Sequence, residues 1–231
     1  MTSRISIIIP VLNEADGIVE ILSSLHPLRA RSHEVIVVDG GSEDATVTLA
    51  RPFSDRVVIG PRGRSRQMNA GAQAATGEIF LFLHADTFLP QDGDRLILDG
   101  LRQHDRSWGR FDVRLSGTQL FFRIVECLMN WRSRLTGIAT GDQAMFVKRN
   151  LFEAVGGFPD IDLMEDITLS RILKRFGPPL CLRERVMTSS RRWERNGILR
   201  TVFLMWRLRM YYVLGSNSQH LARWYEGLKS R

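Results

Sequence analysis

Short apolar runs recur along the first part of the chain, and each is bounded by polar or turn-forming residues. Runs of this length are typical of strands that are buried on both faces of a sheet. The pattern predicts four such strands, at Ile5 to Ile9, Glu34 to Val38, Arg56 to Ile59 and Gly77 to Leu83.

Amphipathic stretches separate these runs. A helix is predicted to begin near Asn13, a second at Ser42 to Asp44 and a third at about Ser65, ending near Ala75. The apolar face of the first helix carries Ile18, Ile21, Leu22 and Leu25. Strands that alternate with helices favour right-handed βαβ units and a parallel sheet.

The pattern changes after Pro90. The residues from Trp108 to Leu115 alternate as in an antiparallel strand, and a further strand is predicted from Ala144 to Val147. Helices are predicted at Asp92 to Gln103, Thr118 to Arg134 and Glu165 to Phe176.

Two helical stretches have broad apolar faces. The face of the Thr118 to Arg134 helix is interpreted as packing on the core rather than on a membrane. Its residues are Leu120, Phe121, Ile124, Val125, Leu128 and Trp131. In the stretch from Ile198 to Leu214, a membrane interface and core packing both stay open. The apolar residues there are Leu199, Val202, Phe203, Trp206 and Met210, with Arg200, Arg207 and Arg209 elsewhere on the helix.

Composition favours a single α/β domain, with or without an extension, because 231 residues with 44% hydrophobic content can bury a sizeable core. Cys127 and Cys181 have no metal-binding spacing, so a reduced cytoplasmic setting is expected. The apolar run that begins at Ile5 leaves no room for a secretory signal. No apolar stretch reaches the ~18 to 20 residues of a spanning helix.

Positive charge is concentrated towards the C-terminal end. The formal net charge is +7, and the segment from Cys181 to Arg231 has eleven Lys or Arg against three Glu, a surplus of eight. The rest of the chain is close to neutral. Nucleic acid, anionic lipid and a substrate diphosphate are all possible partners of such a surface.

Polar residues follow each of the four predicted parallel strands. They are Pro10 with Asn13, Asp39 with Ser42, Arg62 to Arg66, and His84 with Asp86. Because the carboxyl ends of parallel strands share one edge, these groups are expected to converge on one ligand crevice. Neither G-x-G-x-x-G nor G-x-x-x-x-G-K-[ST] follows the first strand, so a mononucleotide held by side chains and a metal fits better than a dinucleotide.

Five motifs in a fixed order resemble the signature of family 2 glycosyltransferases. They are Ile7 to Glu14, Val37 to Thr46, His84-Ala85-Asp86, Gly156 to Pro159, and Glu165-Asp166. With Arg64 to Gly71 added, the chain is most similar to a small bacterial branch that has a His-Ala-Asp metal motif. The resemblance extends from Ile5 to Trp193.

The resemblance implies a GT-A fold, which is a Rossmann-like α/β architecture with a mostly parallel sheet flanked by helices. Residues 1–195 would form the glycosyltransferase domain, with a nucleotide-binding half at about 1–90 and an acceptor half at about 91–195. Residues 196–231 would form a basic, amphipathic helical extension.

The resemblance also implies how the donor is held. Asp39 would accept a hydrogen bond from the base, as it would from uracil N3–H. Pro10, Asn13 and Glu14 would line the nucleoside pocket together with Gly41, Ser42 and Ala85, and Arg66 and Asn69 would approach the ribose and diphosphate. His84 and Asp86 would bind Mn²⁺ or Mg²⁺. His84 stands where the family has an Asp, and imidazole favours Mn²⁺.

On the acceptor side, the resemblance makes Asp166 the general base, with Glu165 beside it. Carboxylates in the first turn of a helix also complement its dipole, which is the structural alternative. Asp142, Gln143, Arg192 and Trp193 would contact acceptor or diphosphate. The last two belong to a partial match, Ser189 to Trp193, to a Gln/Arg-x-x-Arg-Trp motif.

The sequence therefore predicts an inverting, metal-dependent glycosyltransferase that uses a nucleotide-sugar, with UDP favoured. The acceptor would be an alcohol or a lipid, and the setting cytoplasmic, with contact to the inner face of the membrane left open. One alternative is a metal-dependent nucleotidyltransferase, although Pro10 to Asn13 replaces the glycine- and Lys/Arg-rich loop expected there. Another is a basic membrane- or nucleic-acid-binding module. No nucleic-acid-binding motif supports it.

Overall fold

The computed structural model describes residues 3–191, 194 and 197–213. Eight strands in these ranges form one sheet with the order β3-β2-β1-β4-β7-β6-β8-β5. The strands are β1 (Ile5–Val11), β2 (Glu34–Asp39), β3 (Arg56–Ile59), β4 (Ile79–Phe82), β5 (Thr87–Phe88), β6 (Trp108–Leu115), β7 (Phe146–Lys148) and β8 (Leu180–Thr188). The predicted α/β sheet flanked by helices is confirmed.

Helices cover both faces of this sheet. They are α1 (Ile18–Ser24), α2 (His26–Ala30), α3 (Thr46–Ala50), α4 (Arg64–Ala74), α5 (Gly93–Gln103), α6 (Leu120–Thr136), α7 (Arg149–Ala154), α8 (Glu165–Leu173) and α9 (Ile198–Val213). Short 3₁₀ helices lie at Arg51–Phe53, Gly141–Gln143 and Lys174–Phe176. Among the described residues, no helix is both long enough and apolar enough to cross a membrane.

The four predicted strands β1 to β4 run parallel, as expected. Alternate residues of a strand point to opposite faces, and both faces of β1, β2 and β4 are buried. Ile7 packs with α1 on one face, whereas Ile8 packs with α4 and α7 on the other. This double burial explains why these strands are continuous apolar runs in the sequence.

Strand β6 has the predicted bounds, but its predicted antiparallel pairing is only partly right. It pairs antiparallel with β7 at Trp108 and Gly109 alone, and parallel with β8 from Gly109 to Leu115. Beyond Gly109 the side of β6 opposite β8 therefore has no neighbouring strand among the described residues.

Helix α6 packs against this open side of β6 through polar residues. The Asn130 side chain accepts a hydrogen bond from Val113 N–H and donates one to Val113 C=O, and Glu126 accepts one from Leu115 N–H. A buried backbone group without a partner costs about as much as a lost hydrogen bond. The face of α6 that carries Glu126 and Asn130 thus turns inward because the β6 backbone requires hydrogen-bond partners.

The prediction that the apolar face of α6 packs on the core is wrong for most of its residues. Val125 is buried, but Leu120 is 77% exposed, Leu128 54% and Trp131 62%, and Phe121 and Ile124 are exposed as well. The inward face instead consists of Phe122, Val125, Glu126, Asn130 and Ser133.

Helix α9 packs on the body of the protein by one side. Leu208 is fully buried in a cluster with Met164 and Ile167 of the α8 region, and the Thr168 and Tyr212 hydroxyls are hydrogen-bonded. The opposite side bears large apolar residues that remain exposed: Phe203, Trp206, Met210 and Tyr211. Leu199 is also predicted to belong to the apolar face of this helix, and its side chain is not among those that the structure describes. The division of the chain after residue 195 stays a prediction.

Candidate active site

The loops after β1 and β2 are joined to each other by hydrogen bonds. Asn13 N–H donates to Ser42 Oγ at 2.9 Å, and Asn13 Oδ1 accepts from Glu43 N–H at 2.9 Å. Glu14 N–H donates to Thr46 Oγ1. These bonds hold the residues predicted for the nucleoside pocket in one structural unit. Pro10 is half-buried at the end of β1.

The two carboxylate oxygens of Asp39 have different surroundings. Its Oδ2 atom accepts hydrogen bonds from the N–H groups of Gly41 and Ser42, at 2.9 and 3.0 Å. Its Oδ1 atom is buried and has no partner in the part of the chain that the structure describes. An unpaired buried acceptor is costly, so Oδ1 is suited to receive a donor from a ligand.

Gln67 of α4 connects the ends of β1 and β2, a contact that the sequence analysis missed. Its amide nitrogen donates to the carbonyls of Val11 and Val38, both at 2.8 Å. A Cβ atom added to Gly40 would lie 2.9 Å from the Gln67 side chain. The absence of a side chain at Gly40 thus lets Gln67 reach both strands.

A small pocket opens beyond the end of β4. It is lined by Arg64, Met68, Phe82, His84, Gly141, Met145, Phe158, Glu165 and Asp166. The end of β4, the start of α4, the start of α8 and the 3₁₀ helix at Gly141–Gln143 therefore meet here. The predicted metal motif and the predicted acidic pair contribute to the same pocket.

Glu165 is the more deeply buried member of the acidic pair. Burial, followed by the negative charge of Asp166, raises the pKa of Glu165 above its ordinary value. Arg64 Nη1 lies 3.6 Å from Glu165 Oε1 and acts in the opposite direction. The net effect favours the protonated, neutral form of Glu165.

Asp166 is half-buried and held by backbone groups. Its Oδ2 atom accepts Gly141 N–H at 2.8 Å, and its Oδ1 atom accepts Ile167 N–H at 2.7 Å. The second bond lies in the first helical turn of α8, as expected if Asp166 only stabilises the start of that helix. The first bond crosses from α8 to the 3₁₀ helix and fixes the carboxylate at the pocket wall.

His84 presents one buried nitrogen without a partner among the described residues. This atom is Nε2, and it faces Gly141 so closely that a side chain at that position would collide with it. The other nitrogen, Nδ1, lies 3.5 Å from Asp142 Oδ1. Asp86, two residues further on, is half-buried, and its Oδ1 atom accepts a hydrogen bond from the Thr87 hydroxyl.

These two side chains offer a divalent metal ion two different ligand types. His84 has an imidazole nitrogen without a partner among the described residues, and Asp86 has a half-buried carboxylate of the kind that suits Mn²⁺ and Mg²⁺. In the described ranges no group of three or more His, Cys, Asp or Glu side chains could hold a metal by itself. Any ion at His84 and Asp86 would therefore take further ligands from water or from a substrate.

Arg66 and Asn69 are engaged away from this pocket. Arg66 Nε donates to Asp160 at 2.6 Å, and both amide atoms of Asn69 bond to the backbone of Phe158. These bonds fasten α4 to the loop that precedes α8. The expected contacts of Arg66 and Asn69 with ribose and diphosphate stay predictions.

The other predicted residues take different positions. The Ala85 side chain belongs to the hydrophobic core, and Asp142 is half-buried next to His84. Gln143 is fully buried, and its Oε1 atom accepts Thr140 N–H, while its Nε2 atom has no partner within the described ranges. Arg192 and Trp193 lie outside the described residues.

Comparisons with known proteins give the family and the fold of the chain. The sequence profile described as Glycosyl transferase family 2 matches residues 6–156. The PGL/p-HBAD biosynthesis glycosyltransferase of Mycobacterium tuberculosis is 38% identical over 91 residues, which are 36% of this chain and 36% of that protein. The matched region spans only about a third of the length of the curated relatives.

Two solved structures have the same fold. Staphylococcus aureus TarS superposes with a TM-score of 0.66 at 18% identity, covering 81% of this chain and 60% of TarS. Its structures include complexes with UDP and UDP-GlcNAc. The mannosyltransferase PcManGT of Pyrobaculum calidifontis, in complex with GDP-Man and Mn²⁺, gives 0.61 at 25% identity, covering 81% of this chain and 57% of PcManGT. The architecture is that of GT-A glycosyltransferases.

Proposed function

The chain belongs to glycosyl transferase family 2, and on that premise we propose that it transfers a sugar from a nucleotide-diphosphate donor to an acceptor hydroxyl, with inversion at the anomeric carbon. The observation that carries the proposal is the single pocket in which His84, Glu165 and Asp166 meet. Family membership favours this function over a nucleotidyltransferase or a non-enzymatic binding module.

A UDP-sugar is the donor that we propose. The buried, unpaired Oδ1 atom of Asp39 is suited to accept N3–H of uracil. TarS in its complexes with UDP and UDP-GlcNAc, and PcManGT with GDP-Man, are proteins of this fold that bind different bases. The preference for UDP therefore rests on Asp39.

His84 and Asp86 would hold a divalent ion together with the donor diphosphate. When bound, Mn²⁺ or Mg²⁺ neutralises the negative charge that develops on the leaving diphosphate. The preference for Mn²⁺ follows from the imidazole ligand. In this arrangement nucleotide and metal bind together, since each supplies ligands or charge that the other needs.

Asp166 would act as the general base. The Gly141 N–H group holds its carboxylate at the pocket wall. There Asp166 takes the proton of the acceptor hydroxyl, whose oxygen bonds to the anomeric carbon as the bond to the diphosphate breaks. The raised pKa of Glu165 extends its neutral form to higher pH than usual, and Asp166 is the member of the pair to which we assign the proton. A single displacement needs no carboxylate nucleophile and inverts the anomeric centre.

We further propose that the acceptor is an alcohol presented at a membrane surface, on the inner face of the cytoplasmic membrane. Exposed apolar residues on α6 and α9, among them Trp131, Phe203 and Trp206, support this, because large exposed apolar patches mark interaction sites. Arginines on the same helices suit anionic lipid. No role for nucleic acid is proposed.

Metal-dependent nucleotide binding tests the proposed function. The melting temperature should rise with UDP and Mn²⁺ together, more than with GDP and Mn²⁺ or with either component alone. Asp86→Ala should remove the part of this rise in melting temperature that depends on Mn²⁺. It should leave the fold intact, because Asp86 lies at a strand end outside the core. If a folded Asp86→Ala protein kept the full effect of Mn²⁺, the metal assignment would be refuted.

A further inference from the structure

We infer that Arg132 of α6, with Arg209 of α9 beside it, forms a binding position for a phosphate group carried by the acceptor. The inference rests on the proposed function, because it assigns the acceptor to the side of the pocket where Asp166 lies. It adds a chemical class to that acceptor, namely a phosphorylated alcohol.

The guanidinium group of Arg132 has buried hydrogen-bond donors without acceptors among the described residues. Its Nε and Nη2 atoms are both buried, and neither has a hydrogen-bond partner in residues 3–191, 194 and 197–213. A guanidinium is charged at every physiological pH and has five N–H donors. Leaving such donors buried and unpaired is costly, so a fold that keeps them is expected to use them for a ligand.

The two unpaired atoms lie on one edge of the guanidinium, which is the edge that binds two oxygens at once. The same chain shows this geometry elsewhere. Arg31 Nε and Nη2 donate to the two carboxylate oxygens of Asp94, at 2.6 and 2.7 Å. Arg132 presents the equivalent edge with no carboxylate on it. A phosphate supplies the matching pair of oxygens.

The surroundings of Arg132 have a surplus of positive charge. Burial, and after it the positive charge of Arg209, lowers the pKa of Arg132 to about 10, and Arg110 acts in the same direction. Asp166 acts in the opposite direction. The nearby Arg110 is already paired with Asp112, and so is Arg134. One bound anion would compensate Arg132 and Arg209 without disturbing these pairs.

The position of Arg132 assigns this anion to the acceptor rather than to the donor. The donor diphosphate has His84 and Asp86 at the end of β4, whereas Arg132 lies on α6, near enough to Asp166 for the two charges to interact. The molecule whose hydroxyl Asp166 deprotonates is therefore the one whose phosphate reaches Arg132. That phosphate belongs either to a soluble alcohol phosphate or to a lipid headgroup.

The test measures phosphate binding to the full chain by calorimetry, with sn-glycerol 3-phosphate as the soluble probe and phosphatidylglycerol vesicles as the lipid probe. Both are used in the presence of saturating UDP and Mn²⁺. Arg132→Gln and Arg209→Gln should each weaken binding of at least one probe about 10- to 100-fold, the usual value of a charged hydrogen-bond pair. The probe that is affected identifies the source of the phosphate.

Arg207→Gln is the matched control, because Arg207 is exposed and only two residues from Arg209 on the same helix. It removes the same charge and should leave the binding of sn-glycerol 3-phosphate unchanged. Arg132→Lys keeps the charge but loses the two-donor edge, and it should bind as weakly as Arg132→Gln. Melting curves confirm that each variant is folded.

Two results would overturn the inference. If the wild-type, Arg132→Gln and Arg209→Gln proteins bound each probe with the same affinity, the proposed phosphate site would be refuted. Competition between glycerol 3-phosphate and UDP, with weaker UDP binding in Arg132→Gln, would assign the arginine to the donor. A wild-type protein that bound no nucleotide would instead refute the proposed function, whatever the phosphate result.

Discussion

Asp39 combines a structural and a ligand-binding role within one side chain. Its Oδ2 atom accepts the hydrogen bonds of the turn after β2, and its Oδ1 atom is buried without a partner among the described residues. Substitutions can separate the two roles, because an amide keeps one acceptor oxygen for the turn and replaces the other oxygen with a donor.

We expect Asp39→Asn to keep the fold and to weaken uridine and UDP binding at least about tenfold, with or without metal, because two donors would then face each other. Asp39→Ala should also lower the free energy of unfolding, by about 1 kcal/mol, since the turn loses its acceptor. Titration calorimetry with uridine checks the first expectation. Unchanged uridine affinity in Asp39→Asn would leave Asp39 as a turn residue only.

Substitutions in the acidic pair, Glu165 and Asp166, can likewise separate a catalytic role from a structural one. Asp166→Asn preserves volume and keeps an oxygen for Gly141 N–H. If Asp166 is the base, sugar transfer should fall by about 10² to 10⁴, with little change in donor affinity. If it only stabilises the start of α8, transfer should persist and stability should fall by less than about 1 kcal/mol.

Glu165→Gln is the internal control for this experiment. Its neutral amide resembles the neutral form that the raised pKa of Glu165 already favours. The change should therefore affect transfer much less than Asp166→Asn does. Loss of transfer confined to Glu165→Gln would move the base to that residue.

At the scale of residues, the sequence predicted that His84 and the Glu165-Asp166 pair lie at one site, but not which arginine enters the pocket. Arg64 and Arg66 stand in one motif, and two residues correspond to about 200° around a helix. Arg64 lines the pocket and Arg66 pairs with Asp160 on another side. The rotational position of α4 decides between them, and it depends on packing against β1 and β2 that no local pattern encodes.

Among the elements, α4 links the nucleotide loops to the sheet through Gln67. Replacing Gln67 by Met keeps its length but removes the amide donor from the Val38 carbonyl, and it leaves the Val11 carbonyl with the Gly40 N–H group as a donor. We expect a loss of about 1 to 3 kcal/mol in the free energy of unfolding and weaker UDP binding, because Asp39 directly follows Val38. Urea denaturation and UDP titration measure the two effects.

Gln73→Met on the same helix controls for the loss of an amide. Gln73 is exposed, so its replacement should change stability by less than about 0.5 kcal/mol. Equal effects of the two substitutions would argue against a bridging role for Gln67.

Helix α6 shows why apolar periodicity alone can mislead about an element. The periodicity correctly predicted a helix, yet the buried face contains Glu126 and Asn130, which bond the part of β6 that has no strand partner in the described ranges. The sequence contains no local sign of an unpaired sheet edge. That edge exists only once β7 has paired with β6 at two residues and no more.

For the whole molecule, the exposed apolar residues predict membrane binding. We expect the double substitution Leu128→Ser with Trp131→Ser to reduce binding to phosphatidylglycerol vesicles at least about tenfold, because about 25 cal/mol is lost for each Å² of apolar contact. Both side chains are more than half exposed, so the melting temperature should hardly change. Vesicle sedimentation gives the measurement.

The control for vesicle binding is Ile59→Ser. Ile59 is 66% exposed on β3, which forms the opposite edge of the sheet from the β6 region. Its replacement removes exposed apolar surface, although less than the α6 variant does, without touching α6. If Ile59→Ser reduced vesicle binding as much as the α6 variant, adsorption would be non-specific.

Across the whole chain, the parallel half of the sheet was predictable, and the second half much less so. Residues buried on both faces of β1, β2 and β4 give an unambiguous apolar signal. Strands β6 and β8 combine pairing in both directions with a register shift after Phe111, and such non-local pairing is not encoded by alternation.

The hydrogen bonds between α6 and β6 also determine how the protein would sit on a bilayer. Because α6 cannot move away from β6 without exposing the backbone groups of Val113 and Leu115, its outer face is a rigid platform and not a hinged anchor. Adsorption through this platform would fix the tilt of the sheet relative to the lipid plane. The mouth of the pocket would then stand at a constant height above the headgroups, so the enzyme would select acceptors by how far their hydroxyl projects from the surface.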